Sequence, residues 1–349
     1  MSSPECMQPP PRQFVVRLAR REDVEAFTAL VIDADGALER HPESREASHL
    51  SIETSIRSLA GQASDAERGY LLLLEDVHSA EIAGCITLTC HIGLEQPFYD
   101  YRVGRIVHSS RPLKSYRCLD VLYLSNDLTG CSELHSLYLR AGARGMGAAS
   151  LLLKAAQLFI RSRIHEFAPR LIAELHGVQD ANGASPFWES VGRRFFRVGQ
   201  REVERLMAKG RKAFVAELMP KHPMYVSLLP TAAQAVVGEV HHSNVGLARE
   251  LEADGFHFEN HVDIFDAGRV MEAHMADLHG VAASRVLSAR DCEDVAGEHW
   301  WIAGGSGADF RVVGGTAAAA EDELRIAPAL LRRLGARAGD KLLALPLRP

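Results

Sequence analysis

The stretch that most constrains this chain runs from Glu133 to Ile160: a strand-like ELHSLYL, a turn ARGMGAA, and a helical SLLLKAAQLFI. Gly145 and Gly147 let the backbone bend sharply and approach a ligand with no Cβ in the way. Leu151, Leu152, Ala155, Ala156, Phe159 and Ile160 recur at i, i+4 and i+8, while Lys154, Gln157 and Arg161 mark a polar side, which predicts an amphipathic helix. The first turn of such a helix presents N–H groups without intrahelical partners. Together with the positive end of the helix dipole they make a cradle for a pyrophosphate, of the kind coenzyme A carries. Arg144 adds a cation beside it.

Other nucleotide readings of this turn fail on details. It lacks GxxxxGK[ST], and GMGAA lacks both the third glycine and the acidic residue roughly 20 positions on that a dinucleotide fold requires. What remains is Arg144-x-x-Gly147-x-Ala149, which resembles the R/Q-x-x-G-x-G/A signature of the GCN5-related N-acetyltransferases, with alanine in last place. The chain as a whole resembles a narrower group, the arginine N-succinyltransferase family, which includes the arginine/ornithine succinyltransferase subunits. The stretches that carry the resemblance are YRVGRIVHSS from Tyr101, LSNDLTGCSELHSLYL from Leu124, ANGASPFWESVGRRFF from Ala181, FVAELMPKHPMYVSLLP from Phe214 and GFHFENHVDIFDAG from Gly255.

Bulk properties set outer bounds. A chain of 349 residues, 47% hydrophobic, can bury a full core. A net charge of -6 and a pI near 6.2 argue against nucleic acid or an anionic membrane as the main partner, and would not repel a cationic substrate. Cys6, Cys85, Cys90, Cys118, Cys131 and Cys292 show no CxxC pair and no close even spacing, and read as reduced and mostly buried. Neither a signal peptide nor an apolar run of about 20 residues is visible, so the expectation is a cytoplasmic protein.

Along the chain, residues 1–11, with three consecutive prolines, read as a disordered tail. A strand from Phe14 then leads into a helix over Arg20–Ala34 with Val24, Phe27, Leu30 and Val31 on one face, and a second helix spans Ser48–Leu59. GYLLLLED and EIAGCITLTC read as a hairpin, with further strands at Gly104–His108 and Leu119–Leu124, in a meander that reaches the central strand. RLIAEL is a buried strand. Ser185 as N-cap and Pro186 at the first helical position start a helix whose Trp188, Val191, Gly192 and Phe195 face inward. A similar helix runs from Ser243 or Asn244 to Asp254, ends at Gly255 and precedes the strand FHFENHVDIF.

The repeated helix, glycine-aromatic, strand unit predicts two tandem modules, 12–165 and 166–280, followed by a small β-barrel-like domain over 281–349 in which GGTAAAAED is a loop. The fold class expected is therefore α/β (α+β), with an acyl-CoA N-acyltransferase-like mixed sheet.

Acyl transfer from a thioester to an amine needs a proton acceptor, fixed donors for the oxyanion, and an acid for the thiolate. No cysteine lies beside a matched base, so direct attack is favoured over a covalent acyl-enzyme. The resemblance implies that Leu137 contacts succinyl-CoA, with Arg144, Gly145, Gly147 and Ala149 forming the coenzyme turn. Among sixteen histidines, His241 stands out twice: it precedes a helix N-terminus, whose dipole disfavours imidazolium, and it falls at the family's active-site histidine, in VHHSN where relatives read VHP. His242, in place of that proline, and His222, in MPKHPMY, are the alternatives. Glu133, Asp263 and Asp266 could meet a guanidinium, although capping or solvated roles are the plainer reading. DGALERHPE, Asp35–Glu43, departs from the family by placing Glu39, Arg40 and His41 where relatives carry small hydroxyl residues, and would line the acceptor pocket.

What the resemblance implies is succinyl transfer from succinyl-CoA, as co-substrate, to the α-amine of L-arginine in arginine catabolism, with no permanently bound cofactor, no metal, and a homo- or hetero-oligomeric state. The rivals are a succinyltransferase for ornithine or another basic amino acid, and a non-catalytic subunit of a hetero-oligomer.

Overall fold

The computed structural model describes residues 13–347 except 36, 39, 181–182, 197–198, 200–202 and 204–217. The expected N-terminal tail and Glu39 therefore lie outside the described residues. The strands and the three main helices, in chain order, are β1 (Phe14–Leu18), α1 (Val24–Asp33), α2 (Arg45–Leu59), β2 (Gly69–Asp76), β3 (Ile82–Thr89), β4 (Asp100–Ser110), β5 (Ser115–Ser125), β6 (Ser132–Leu139), α3 (Ala148–Ser162), β7 (Arg170–Glu174), β8 (Met224–Tyr225), β9 (His257–Val262), β10 (Arg269–His274), β11 (Arg285–Asp291), β12 (Glu298–Gly304), β13 (Arg311–Ala320), β14 (Glu323–Ile326) and β15 (Lys341–Pro346). No helix of the described residues is long and apolar enough to cross a membrane.

The unbroken apolar run in β2 has a direct cause: helices cover both faces of the strand. Tyr70, Leu72 and Leu74 point to α3, whose Leu152, Ala156, Phe159 and Ile160 belong to the same buried cluster. Leu71 and Leu73 point the other way, against Val24, Phe27, Leu30 and Val31 of α1. Each of these fully buried leucines stabilises the fold by roughly 1.5–3 kcal/mol relative to exposure.

The strands form one mixed sheet in the order β12-β15-β11-β14-β13-β1-β2-β3-β6-β7-β10-β9-β4-β5-β8. An additional β12–β13 pairing closes β11–β15 into a five-stranded barrel. The barrel is tied to the rest through β1, where Val16 and Arg17 pair with Val312 and Arg311. Phe310 also stacks edge-on against Phe159 of α3, 5.1 Å between centroids. The expected α/β acyltransferase-like sheet with a C-terminal barrel is present.

Several local expectations need correction. The β4–β5 hairpin does not continue the β2–β3 meander. β3 pairs with β6 instead, and β4 pairs with β9, because β6 and β7 run parallel and place β7, β10 and β9 between the two hairpins. GGTAAAAED is not a loop, since Gly314 to Ala320 belong to β13 and pair with β12 and β14. Low strand propensity is overridden there by packing: Gly314 lies under Trp301, Gly315 under Leu330, and Ala317 is fully buried. The helix after Ser185 breaks at Val191 into Pro186–Ser190 and Gly192–Phe195, which leaves Phe195 exposed while Trp188 is buried. Cys85, Cys90 and Cys131 are buried, but Cys118 is exposed.

Gly192 is dictated by that break. A Cβ built on it would sit 2.1 Å from the Trp188 ring. Gly192→Ala must push the indole out of a site where it stacks on Phe196 and touches Phe265. Such overpacking costs about 1–3 kcal/mol, which should appear in urea unfolding as a lower midpoint with an unchanged slope.

Candidate active site

The opening that holds the candidate site is made by β6 and β7, which pair over only two rungs, Ser132↔Leu171 and Glu133↔Ile172. Beyond Glu133 the strands part, while β6 stays zipped to β3 on its other side as far as Leu139. A bulge helps to turn β6 away. Ser136 takes a φ of 54°, and the β3–β6 register shifts between Cys85 and Thr87. Leu137 lies just past the bulge, on the stretch of β6 that faces the gap, and is partly buried against the main core.

β6 then runs into the glycine turn. Gly145 and Gly147 adopt φ of 76° and 71°, and Gly147 is the left-handed N-cap of α3. A Cβ at either glycine would meet no protein atom within 4 Å, so the turn faces open space. The first helical backbone bond runs from Leu151 N–H to the Gly147 carbonyl, 2.9 Å, and no side chain caps the helix. The N–H groups of Ala148, Ala149 and Ser150 thus have no helical acceptor, as a phosphate cradle requires. Arg144 is exposed, with its Nε donating to the Leu139 carbonyl at 3.0 Å and its guanidinium 6.0 Å from the Tyr138 ring centroid. Ala149 packs partly against the core.

On the β7 side, the chain beyond Glu174 meets the segment around Val240. Gly177 and Val240 form an antiparallel bridge, and the His241 N–H donates to the His176 carbonyl at 2.8 Å. His241 caps a short 3-10 turn, His242–Asn244, that leads into the Val245–Ala253 helix. Its Nδ1 lies 2.7 Å from Ser243 Oγ. Desolvation, followed by the nearby His242 and His176, lowers its pKa from the ordinary histidine value, with Asp266 pulling weakly the other way. His242 is exposed, with its ring 4.0 Å from that of His241. His222 is exposed beside β8, at the outer edge of the sheet and away from the β6–β7 gap.

Asp263 and Asp266 hold a turn. Asp263 accepts from the N–H groups of Phe265 and Asp266 at 2.6 and 2.9 Å; Asp266 accepts from those of Gly177 and Gly268 at 2.7 and 2.8 Å. Both carboxyls are pushed up, primarily by burial. Asp266 thereby fastens the chain just after β7 to the loop before β10 and supports the backbone that carries His241.

One arrangement escaped the sequence reading, which named Arg40 and Glu133 separately and did not name Glu174. Arg40 reaches from the α1–α2 connection to the base of the gap and forms an ion pair with Glu133: Nη1 donates to Oε2 at 2.6 Å, and Nη2 lies 2.6 Å from Oε1 without hydrogen-bond geometry. Nη2 also contacts Glu174, the last residue of β7. Glu133 is fully buried, while Arg40 and Glu174 are partly exposed. No spacing links residues 40, 133 and 174. Glu133 is the second residue of β6 and Glu174 the last of β7, so the strand pattern does not mark them as a pair. Next to Arg40, His41 is buried between Phe27 and His135, with its ring nitrogens 3.2 Å from Ser51 Oγ and Thr87 Oγ1.

Burial, and then the charge on Arg40, lowers the His41 pKa from 6.5 to about 4. The folded ring stays neutral while an unfolded one charges below about 6.5, so stability is lost as pH falls from about 6.5 toward 4, by up to about 1.4 kcal/mol per unit. Melting curves across that window should show His41→Asn losing less stability than the parent protein.

Comparison with known proteins is consistent across nearly the whole chain. Residues 14–280 match the family model described as arginine N-succinyltransferase beta subunit, and residues 285–346 match that of its C-terminal domain. The arginine N-succinyltransferase of Shigella sonnei (strain Ss046) is 36% identical over 331 residues, 94% of this chain and 96% of that one. That of Escherichia coli O139:H28 (strain E24377A / ETEC) is equally similar over the same shares. Among solved structures, subunit AI of the arginine/ornithine succinyltransferase from Pseudomonas aeruginosa superposes with a TM-score of 0.87 at 30% identity, covering 97% of this chain and 100% of that one. With the parted strands, the uncapped glycine turn and matches of this extent, the chain belongs to the arginine N-succinyltransferase beta subunit family.

Proposed function

We propose that the protein is an arginine N-succinyltransferase that moves succinyl from succinyl-CoA to the α-amino group of L-arginine by direct attack. The observation that carries this reading is the gap between β6 and β7, with an uncapped helix N-terminus at one end and His241 on the opposite wall. Relatives at 36% identity over nearly their full length bear that name. In this reading the N–H groups at the start of α3, with Arg144, Gly145, Gly147 and Ala149, hold the coenzyme pyrophosphate. The unpaired edge of β6 around Leu137 meets the thioester. In the His241 tautomer that gives up the 3.4 Å cap from the Ser243 N–H and donates Nδ1–H to Ser243 Oγ instead, the Nε2 lone pair can take a proton from the incoming ammonium and later pass it to the departing thiolate. The lowered pKa of His241 suits that role, because the ring is neutral at rest.

The division at residues 165 and 280, a cytoplasmic location and an oligomeric state belong to the same proposal. Of these, the boundary near 280 is supported by the family matches that end at 280 and resume at 285 and by the barrel that begins at β11.

The decisive assay gives purified protein succinyl-CoA and a panel of basic amino acids while thiol release is followed. Turnover on arginine is the expected result; preference for ornithine, or none on any amine, would replace the reading. His241→Ala should lower kcat by about a hundred to ten thousand fold with the coenzyme KM unchanged, and His242→Ala should do much less. Gly147→Val, which places a side chain where no protein atom stands, should raise the KM for succinyl-CoA far more than that for the amine. An unchanged coenzyme KM would remove the turn from the site.

A further inference from the structure

We propose that Glu133 and Glu174 form the subsite for the acceptor's guanidinium, and that Arg40 fills this subsite in the free protein and is exchanged for the substrate on binding. The inference rests on the acyltransferase reading above and identifies which residues would recognise the amino acid's far end.

The geometry is that of a guanidinium receptor. One Nη donates to Glu133 at 2.6 Å and the other to Glu174, so two carboxylates grip one planar fork, with the second Glu133 oxygen also 2.6 Å from it. Its position is that of the reaction. Glu133 is the last β6 residue paired with β7, Glu174 ends β7, and two residues further on the His176 carbonyl receives the His241 N–H. The chemistry there suits a cation, since the carboxylates of Glu133 and Glu174 both meet the Arg40 guanidinium. Glu133, with no exposure, requires a cationic partner at all times, whereas Arg40, on the connection between α1 and α2, is partly exposed.

Exchange of one guanidinium for another is close to neutral, because the same hydrogen bonds and the same buried charge are restored. An ammonium, which is a compact point donor, cannot place a separate nitrogen on each of the two carboxylates. Arg40 would therefore act as an internal competitor that only a guanidinium displaces without loss, and so favours arginine over ornithine as the acceptor.

The test compares the parent protein with Arg40→Lys, Arg40→Ala and Glu174→Gln. Both Arg40 variants should lower the KM for arginine severalfold and narrow the ratio of kcat/KM between arginine and ornithine. Arg40→Lys keeps a charge over Glu133 should the alanine variant fail to fold. Glu174→Gln should raise the KM for arginine about tenfold or more, with the KM for succinyl-CoA within about twofold of the parent value. A higher arginine KM in both Arg40 variants together with a lower melting temperature would make Arg40 a permanent structural pair and overturn the proposal, as would an unaffected Glu174→Gln. If the parent protein turns over no arginine, the functional reading fails separately. The subsite is then read by calorimetry: arginine bound more tightly by Arg40→Lys than by the parent, and not by Glu174→Gln, supports it, and arginine bound by none of them overturns it.

Discussion

The parting of β6 from β7 is the constraint on which the remainder depends. Two parallel rungs fix the strands side by side, and the Ser136 bulge then turns β6 away, so that the gap opens between the stretch of β6 that leads to the glycine turn and the chain beyond β7 that leads to His176. A gap inside a sheet exposes backbone donors and acceptors that cannot be left both buried and unpaired. Such an opening persists only where solvent or a ligand can satisfy them. The geometry therefore builds an open slot into the middle of the sheet.

Holding the slot open requires a rigid surround. α3 supplies one side, because its buried face packs on β1, β2, β3 and β6 and also on β12 and β13 of the barrel, so the helix whose N-terminus faces the turn is clamped along its length. Beside it, Lys154 and Gln157 of α3 bind the Asp254 carboxylate, and Gln157 also accepts the Gly280 N–H at 2.7 Å, which locks the Val245–Ala253 helix to α3. The two helices that bracket the gap are thus fixed to each other. The barrel contributes to the site through this packing, since its own residues lie away from the β6–β7 opening.

Electrostatics divides the gap into two ends. The glycine turn offers backbone N–H groups and Arg144, which suit an anion. The base offers Glu133 and Glu174, with the buried Asp263 and Asp266 behind them, which suit a cation. The substrates proposed above, an anionic coenzyme ester and a cationic amino acid, would need that polarity along one slot.

The sequence alone determined the elements whose cause is local. The glycine turn follows from two residues that must take positive φ, α3 from a repeat at i, i+4 and i+8, β2 from an apolar run too short for a helix, and the start at Ser185-Pro186 from capping chemistry. The resemblance singled out Leu137 and His241 from residues near which no chemistry is visible in composition. Only the tertiary structure decided what depends on distant pairing. The parallel register of β6 and β7 moved the β4–β5 hairpin across the sheet, and strand neighbours drew the alanine-rich stretch of β13 into the barrel. The ion pair joining Arg40 to Glu133 and Glu174 spans 93 and 134 residues. A periodic pattern records which face of an element is buried, but not which other face it meets, and a charge in sequence carries no sign of the partner that folding will bring to it.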